Sequence, residues 1–180
     1  VTRTHWERPH ANPQPPRSNG LGVYKVYTTV QNKGVSNIYV DYSFTVPRIL
    51  VVTGWGDTEK KTEVWPKPES QCALPDFPLG VWGAVGFWTA QGPMVCGGDG
   101  GGNKCFLYKH HQWMPSTTMG TPRHDASAIQ VTPNQAIIIG GWDGNNALKS
   151  TEVIASTVSE EGKDFPVTIY DHCSFKINST

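Results

Sequence analysis

The chain has 180 residues with 15 basic and 15 acidic side chains, and therefore no formal net charge. No basic stripe is present to neutralise phosphates, which argues against nucleic acid as a partner. No apolar run approaches the roughly 20 residues that a membrane span requires. The 19 glycines, 14 prolines, 7 tryptophans, 6 tyrosines and 6 phenylalanines, without a helical apolar periodicity, favour an all-β fold. The length suits one domain with a sizeable core.

The first part of the chain divides into an arm and a hairpin. Residues 1–21 are rich in proline and lack aliphatic periodicity, which predicts an extended arm. The arm is either a flexible tail or a segment that docks on another subunit through Trp6, Pro9 and Pro13, apolar anchors on a stiff backbone. Residues 22–39 contain β-forming side chains around a glycine-containing turn, which predicts a β-hairpin.

The remaining chain, residues 40–180, contains one pattern three times, about 43 residues apart. An aliphatic run ends in glycine in each copy, at 49–54, 94–98 and 137–141. Alternating segments are the predicted first strands, at 41–46, 83–88, 125–131 and, as an extra copy, 171–177. A repeat of this length with about four strands is typical of a propeller blade. The predicted units are 40–82, 83–124 and 125–170.

These residues resemble the kelch family over roughly residues 40–180. The matching positions are Gly97, Gly98, Gly140, Gly141, Tyr108, Trp113, Arg123 and His124. The first unit departs from the pattern with Thr53 before its glycine, and the third unit has Ile154 where an aromatic is expected. The resemblance implies four-stranded blades of a β-propeller, similar to those of secreted kelch-like proteins.

Two groups of residues are expected to hold such blades together. Glycines permit close approach between strands, at Gly54, Gly97, Gly98, Gly140 and Gly141. Large aromatic side chains are expected to pack between blades, at Trp65, Tyr108 and Trp113.

The cysteines and one sequon bear on location. Cys96 and Cys105 flank a turn symmetrically, so they would face each other across two strands, close to disulfide reach, and we predict that they are bonded. Cys72 and Cys173 are the second predicted pair, bonded within the chain, to missing sequence, or between subunits. The sequon at Asn178 predicts N-glycosylation, and together with the disulfide it favours an extracellular location.

Three units do not obviously close a ring, since propellers usually have about four to eight blades. The chain is therefore a piece of a larger propeller, half of a two-chain ring, or a subunit of an end-to-end filament. Exposed strand edges recruit partners. In the last two cases the unmatched segment 171–177 would complete a neighbouring subunit, with Phe175 and Ile177 as assembly residues.

The histidines are expected to be structural. As neighbours on a strand, His110 and His111 would point to opposite faces and could not easily share one metal ion. His124 and His172 lie beside aspartates at one register of the repeat, which favours a turn hydrogen bond. No Ser-His-Asp set, Cys-His pair or paired carboxylates stand out, so we expect no catalytic residue, no metal and no cofactor.

The sequence thus predicts a non-enzymatic extracellular structural or adhesive protein. It would associate with itself, or with an extracellular protein or glycan, through blade edges. One alternative is a piece of a secreted kelch propeller that binds a protein or carbohydrate. The other is a copper enzyme similar to galactose oxidase. For such a site Tyr108, His110, His111 and His172 supply the ligand types, although no residue-by-residue match exists.

Overall fold

The structure, a computed structural model, describes residues 38–41, 48–56, 60–65 and 73–177. These residues form eleven β-strands and no α-helix, which confirms the predicted all-β class. The strands are β1 (Ile38–Asp41), β2 (Arg48–Val52), β3 (Thr62–Trp65), β4 (Val85–Thr89), β5 (Gly92–Cys96), β6 (Lys104–Lys109), β7 (Gln112–Thr118), β8 (Ser127–Thr132), β9 (Gln135–Ile139), β10 (Thr151–Ala155) and β11 (Ser159–Glu161).

The strands form three antiparallel sheets in which neighbours in sequence are neighbours in space. Sheet 1 contains β1 to β3, sheet 2 contains β4 to β7, and sheet 3 contains β8 to β11. The first strands of successive sheets adjoin, because β4 contacts both β1 and β8. The sheets therefore follow one another in chain order, each beginning beside the sheet before it.

Alternating side chains and short turns explain these meanders. In β4, the side chains of Val85, Phe87 and Thr89 are buried on one face, as the period of two in a strand requires. The turn between β6 and β7 is His110-His111, whose φ values of 52° and 61° match the two-residue turn that suits the twist of a hairpin. The sequence prediction that these histidines lie on a strand is therefore wrong.

Sheet 2 is covered on both faces. The cluster between sheets 1 and 2 contains Val52, Phe77, Val81, Ala84, Val95, Phe106 and Trp113. The cluster between sheets 2 and 3 contains Val85, Phe87, Met94, Cys96, Cys105, Leu107, Met119, Ala126, Ala136, Ile138 and Ile154. Adjacent residues such as Met94 and Val95 point to opposite faces and so enter different clusters. Burial of this apolar surface, at about 25 cal/mol per Å², is the main favourable term that holds the sheets together.

The same backbone hydrogen bonds recur in all three sheets. After the second strand the N–H donors are Thr53, Gly97 and Gly140, and the carbonyl acceptors are Lys61, Lys104 and Ser150, at 2.8, 2.9 and 3.1 Å. In the segment that follows each sheet's outer strands, the donors are Phe77, Met119 and Phe165, and the acceptors are Lys60, Asn103 and Lys149. These bonds define which residues are equivalent in the three units.

The first strand of unit one differs from its prediction. The strand that pairs with β2 is Ile38–Asp41, with Val40 opposite Ile49. It begins inside the predicted hairpin 22–39 and ends where the predicted strand 41–46 begins, so it crosses the predicted boundary between residues 39 and 40. Residues 22–37 and 42–47 lie outside the described residues. Alternation extends through this whole stretch, and a period of two alone does not fix where a strand starts.

Residues 171–177 form no strand within this chain, so the predicted extra first strand, which another subunit would complete, stays a prediction. The segment nevertheless lies beside β8 in the way that β8 lies beside β4. The N–H of Asp171 donates to the carbonyl of Asp125 at 2.9 Å, and the N–H of Asp125 donates to the carbonyl of Gly83 at 2.8 Å. A first strand pairs with the second strand of its own sheet, and no described residue supplies one here.

Candidate binding surface

The disulfide between Cys96 and Cys105 is confirmed. The two residues are directly opposite each other on β5 and β6, and their Cα atoms are 4.1 Å apart. Both side chains belong to the cluster between sheets 2 and 3, so the bond cross-links the middle sheet from within the core. Cys173 is exposed on the C-terminal segment. Since Cys72 lies outside the described residues, the second pair stays a prediction.

The glycines of the repeated motif lie at the end of the second strand of a sheet, where the chain passes close to the segment that leads into the next unit. Gly97 has a φ of 69°, and a Cβ there would collide with the carbonyl oxygen of Arg123. Gly140, with a φ of 61°, approaches the carbonyl of Ile169 in the same way. Thr53 takes this position in unit one with a φ of 62°, an outlying conformation for a β-branched residue. The glycines that follow in the three units are all buried: Gly54, Gly98 and Gly141.

Two of the three predicted packing aromatics lie between sheets 1 and 2. Trp113 makes edge-to-face contacts with Phe77 and Tyr108, with ring centroids 5.0 and 5.2 Å apart. Its indole N–H donates to the hydroxyl of Thr62 at 3.1 Å. The side chain of Trp65, in contrast, is 66% exposed. Most of its surface is uncovered in the single chain, and its predicted packing between blades stays a prediction.

Arg123 joins units two and three. Its guanidinium donates to the carbonyl oxygens of Gly140 and Ser150 at 2.7 and 3.1 Å and lies 3.3 Å from the carboxylate of Glu152. Burial lowers the pKa of Arg123, and the negative charge of Glu152 opposes this effect. The carboxylate of Glu152 also accepts a hydrogen bond from the N–H of Gly120. The guanidinium is thus occupied by internal bonds and is not presented to a ligand.

The turns at one end of the sheets bring aromatic rings together. Trp55 follows β2 and contacts Trp82, which precedes β4, edge to face with centroids 5.1 Å apart. Trp142 follows β9 and contacts Tyr170 in the same way at 5.5 Å. The two pairs occupy equivalent positions in units one and three, so the contact is a repeated feature of the fold.

Unit two has Asp99 and His124 at these two positions. The ring of His124 lies 5.2 Å from that of Trp82. Its backbone N–H and carbonyl bond to the carbonyl and N–H of Trp142 at 3.0 and 2.8 Å. The five rings therefore follow one another along one end of the molecule. We call them the aromatic arc: Trp55, Trp82, His124, Trp142 and Tyr170.

Asp125 lies at the centre of the aromatic arc. Its carboxylate is 2.8 Å from Nδ1 of His124. Burial raises the pKa of Asp125, the hydrogen bond with His124 lowers it, and the charges of Asp171 and Asp99 raise it again. These carboxylates are thus close enough to act on one another, and the arc borders a negatively charged patch.

His124 and His172 are not equivalent, contrary to the prediction. Asp125 and Asp171 are the equivalent residues. The N–H of each donates to a carbonyl at the start of the preceding unit, and their φ values are 52° and 54°. His124 precedes its aspartate, whereas His172 follows its own. The two imidazoles therefore have different surroundings and different roles.

His172 takes part in a network that no local sequence pattern predicts. Its Nε2 lies 2.7 Å from the hydroxyl of Ser127, which lies 2.5 Å from the hydroxyl of Ser174. Burial lowers the pKa of His172, and Asp171 partly opposes this. A catalytic triad needs an accessible serine and an acid on the second imidazole nitrogen. Ser127 is buried, and Nδ1 of His172 has no hydrogen-bond partner among the described residues. The network therefore anchors the C-terminal segment on β8.

The residues considered for a copper site do not converge. His110 and His111 form the turn after β6, whereas His172 lies beside β8. In the parts of the chain that the structure describes, no group of three or more His, Cys, Asp or Glu side chains could hold a metal ion. The copper alternative is thus supported only by the presence of tyrosine and histidine in the sequence, and not by the positions of these side chains.

The other predicted site residues are placed only in part. The predicted assembly residues Phe175 and Ile177 are both strongly exposed. Several residues lie outside the described residues, so their predicted roles stay predictions: Trp6, Pro9, Pro13 and Asn178. Comparison of the sequence with protein-family models and with curated proteins finds no match. Among the described residues, no helix is long and apolar enough to cross a membrane.

Proposed function

We propose that this protein is a non-enzymatic extracellular structural protein that acts by associating with copies of itself. In this proposal each sheet is a kelch-like blade. Sheet 3 of one copy packs on sheet 1 of the next copy, in the way that sheets pack within the chain. Such head-to-tail contacts either close a ring or grow a filament. The extracellular location is supported by the Cys96–Cys105 disulfide, since structural disulfides are rare in the cytosol.

The exposure of Phe165 is the observation that carries this proposal. The equivalent residues Phe77 and Met119 are 3% and 1% exposed, whereas Phe165 is 37% exposed. Phe77 is covered by Phe106 and Trp113 of sheet 2, and Met119 belongs to the cluster shared with sheet 3. Each buried member is thus covered by the sheet that follows it. Among the described residues, no sheet follows sheet 3.

The strands of sheet 3 present the same kind of face. On sheet 2 the side chains of Phe87, Met94 and Leu107 point toward sheet 3 and are buried. Their equivalents on sheet 3 are only half-buried: Ile129, Ile137 and Val153. We call this surface, together with Phe165, the open face of sheet 3. Uncovered apolar patches of this kind mark interaction surfaces.

Sheet 1 has a complementary open face, which we define by Val51 and Trp65. The equivalents of Val51 are Val95 and Ile138, which are fully buried against the preceding sheet. Val51 itself is only half-buried. Trp65 is largely exposed, whereas its equivalent Ile154 is fully buried. Sheet 3 of another copy would therefore contact Val51 and Trp65. The equivalent positions on sheets 2 and 3 already form the two interfaces between sheets within the chain.

The outer edges of the sheets are poorly suited to strand addition. The outer strand of sheet 2, β7, contains Pro115, which has no N–H to donate. The outer strand of sheet 3, β11, has only three residues, of which Glu160 and Glu161 are charged. Short, charged or proline-containing edges discourage pairing with another chain. Contact through faces therefore replaces, in this proposal, the edge pairing that the sequence suggested.

Sedimentation velocity over a concentration series tests the proposal. We expect a species heavier than the 19.8 kDa chain that dissociates on dilution. Ile137→Glu and Trp65→Glu should each weaken association roughly 30-fold or more, because each places a charge in the proposed apolar contact. Met114→Glu is the matched control, since Met114 is an exposed apolar residue of β7 outside both open faces.

Two outcomes would contradict this account. One is a chain that stays monomeric at every concentration. The other is association that Met114→Glu weakens as much as Ile137→Glu does. Mild reductant in a parallel series separates contact between faces from any disulfide between chains.

A further inference from the structure

The aromatic arc lies at the turn end of the sheets and takes no part in the proposed contact between open faces. We propose that it is a binding surface for a cationic partner, namely a peptide segment that presents lysine or arginine side chains. Exposure of the rings, the sign of the surrounding charge and the geometry of the ring pairs support this assignment.

The two ends of the arc are exposed although both are held in ring contacts. Trp55 is 60% exposed and Tyr170 is about half exposed, yet each makes an edge-to-face contact with its neighbour. Packing of the fold accounts for the ring edges that touch, but not for the large apolar surface left in water. Exposed aromatic surface at both ends of a row of rings is typical of binding sites.

Aspartates are concentrated in the turns that carry the arc, although exposed lysines, among them Lys60 and Lys104, end two of these turns. The turns that carry it contribute four aspartates: Asp99, Asp125, Asp143 and Asp171. Arg123 belongs to the same segment as Asp125, but its side chain is buried against Gly140 and Glu152. Its positive charge is therefore not presented at this surface. Asp99 and Asp171 repel the charge of Asp125, and a bound cation would relieve that repulsion.

The ring geometry suits ammonium and guanidinium groups. In an edge-to-face pair, one ring covers part of the other's face and leaves its own faces accessible. A cation within about 6 Å of such a face is attracted by the ring quadrupole, and a nearby carboxylate adds to the attraction. A neutral glycan would use the same ring faces but would gain nothing from the net negative charge. The combination therefore favours a basic peptide.

Binding of short oligolysine and oligoarginine peptides, measured by calorimetry and by tryptophan fluorescence, tests the inference. Oligoglutamate and a neutral oligosaccharide are the comparison ligands. We expect the basic peptides to bind and their affinity to fall as salt is raised, because the contact is electrostatic and exposed. Trp55→Ala and Asp99→Asn should each weaken binding roughly 2- to 30-fold.

Matched controls exist for both variants. Met114 is an exposed apolar residue of β7, outside the arc and both open faces. Glu160 is an exposed carboxylate on β11. Met114→Ala and Glu160→Gln should therefore leave peptide binding unchanged. Trp65→Glu is expected to disrupt self-association. Peptide binding by this variant would show that binding at the arc does not depend on self-association, so the two proposals can fail independently.

Three results would overturn the inference. They are no binding of either basic peptide, binding that Trp55→Ala and Asp99→Asn leave intact, and binding of the neutral oligosaccharide alone. Tyr170→Ala serves as a second arc variant where Trp55→Ala unfolds at a lower urea concentration than the unmodified chain.

Discussion

Nη2 of Arg123 lies 3.3 Å from Oε2 of Glu152, and the two side chains are only 1% and 5% exposed. This buried pair ties the segment before β8 to β10. Removing one partner of such a pair leaves an uncompensated buried charge, which typically costs about 3–5 kcal/mol. We expect Arg123→Met to lower the free energy of unfolding by about that amount. The double variant Arg123→Met/Glu152→Met should lose less than the sum of the single variants, as urea titrations would measure. Strict additivity would show that the two charges are not coupled.

Thr53 and Gly97 occupy equivalent positions, with φ values of 62° and 69°. Thr53→Gly should raise the free energy of unfolding by about 1 kcal/mol. The substitution relieves a left-handed conformation of a non-glycine residue, which costs roughly 1–2 kcal/mol. It also removes a buried hydroxyl that has no partner among the described residues. Together these gains outweigh the larger conformational entropy that glycine loses on folding. Gly97→Thr should be destabilising by more than about 2 kcal/mol, since its Cβ would meet the carbonyl of Arg123. Thermal unfolding of both variants checks the pair, and a less stable Thr53→Gly would refute the strain argument.

His172 should make the attachment of the C-terminal segment depend on pH. Burial lowers the pKa of His172 in the folded state. The unfolded chain therefore takes up the proton first, near its ordinary pKa of about 6.5. The contribution of His172 to stability is fully present above that pH and is lost as the pH falls toward the lowered pKa.

NMR signals of residues 171–177, followed during an acid titration, measure this effect. They should move toward unfolded values as the pH falls below roughly 6.5. His172→Asn should abolish the pH step, because asparagine does not titrate, and His110→Asn should keep it, because His110 lies in the turn after β6. A step that survives in His172→Asn would assign the effect to another group.

The Cys96–Cys105 bond closes a short loop, with a sequence separation of 9. A cross-link of that length is expected to contribute about 2–3 kcal/mol by restricting the unfolded chain. The variant Cys96→Ala/Cys105→Ala should therefore unfold at a lower urea concentration by about that free energy, plus the loss of two buried side chains. An unchanged midpoint would mean that core packing alone fixes the hairpin.

Features that depend on neighbours in sequence could be predicted. The disulfide could be predicted because two cysteines lie symmetrically about one turn. The all-β class could be predicted because apolar and polar residues alternate in segments that glycine-containing turns separate. The limits of β1 could not be predicted, because alternation continues on both sides of Ile38–Asp41 and only pairing with β2 fixes its ends. The His110-His111 turn was missed because strand periodicity says nothing about positive φ.

The candidate sites depend on contacts between distant residues. Ser127 and His172 are 45 residues apart, and no local pattern joins them. The aromatic arc had a signal in the sequence. Trp55 and Trp142 each follow directly on the glycine motif, so aligning the repeats position by position would have placed both at one end of the molecule. The open faces could not be predicted, because the same apolar residue is buried or exposed according to whether a sheet follows.

The central claim is that sheet 3 of one copy packs on sheet 1 of another. The most direct test is sedimentation of Trp65→Glu mixed with Ile137→Glu, each of which should be monomeric alone. In a head-to-tail arrangement, the intact sheet 3 of the first variant can meet the intact sheet 1 of the second, so the mixture should contain a complex of both chains. A mixture that sediments as the sum of its two monomeric components, or a Trp65→Glu chain that still associates by itself, would contradict the claim.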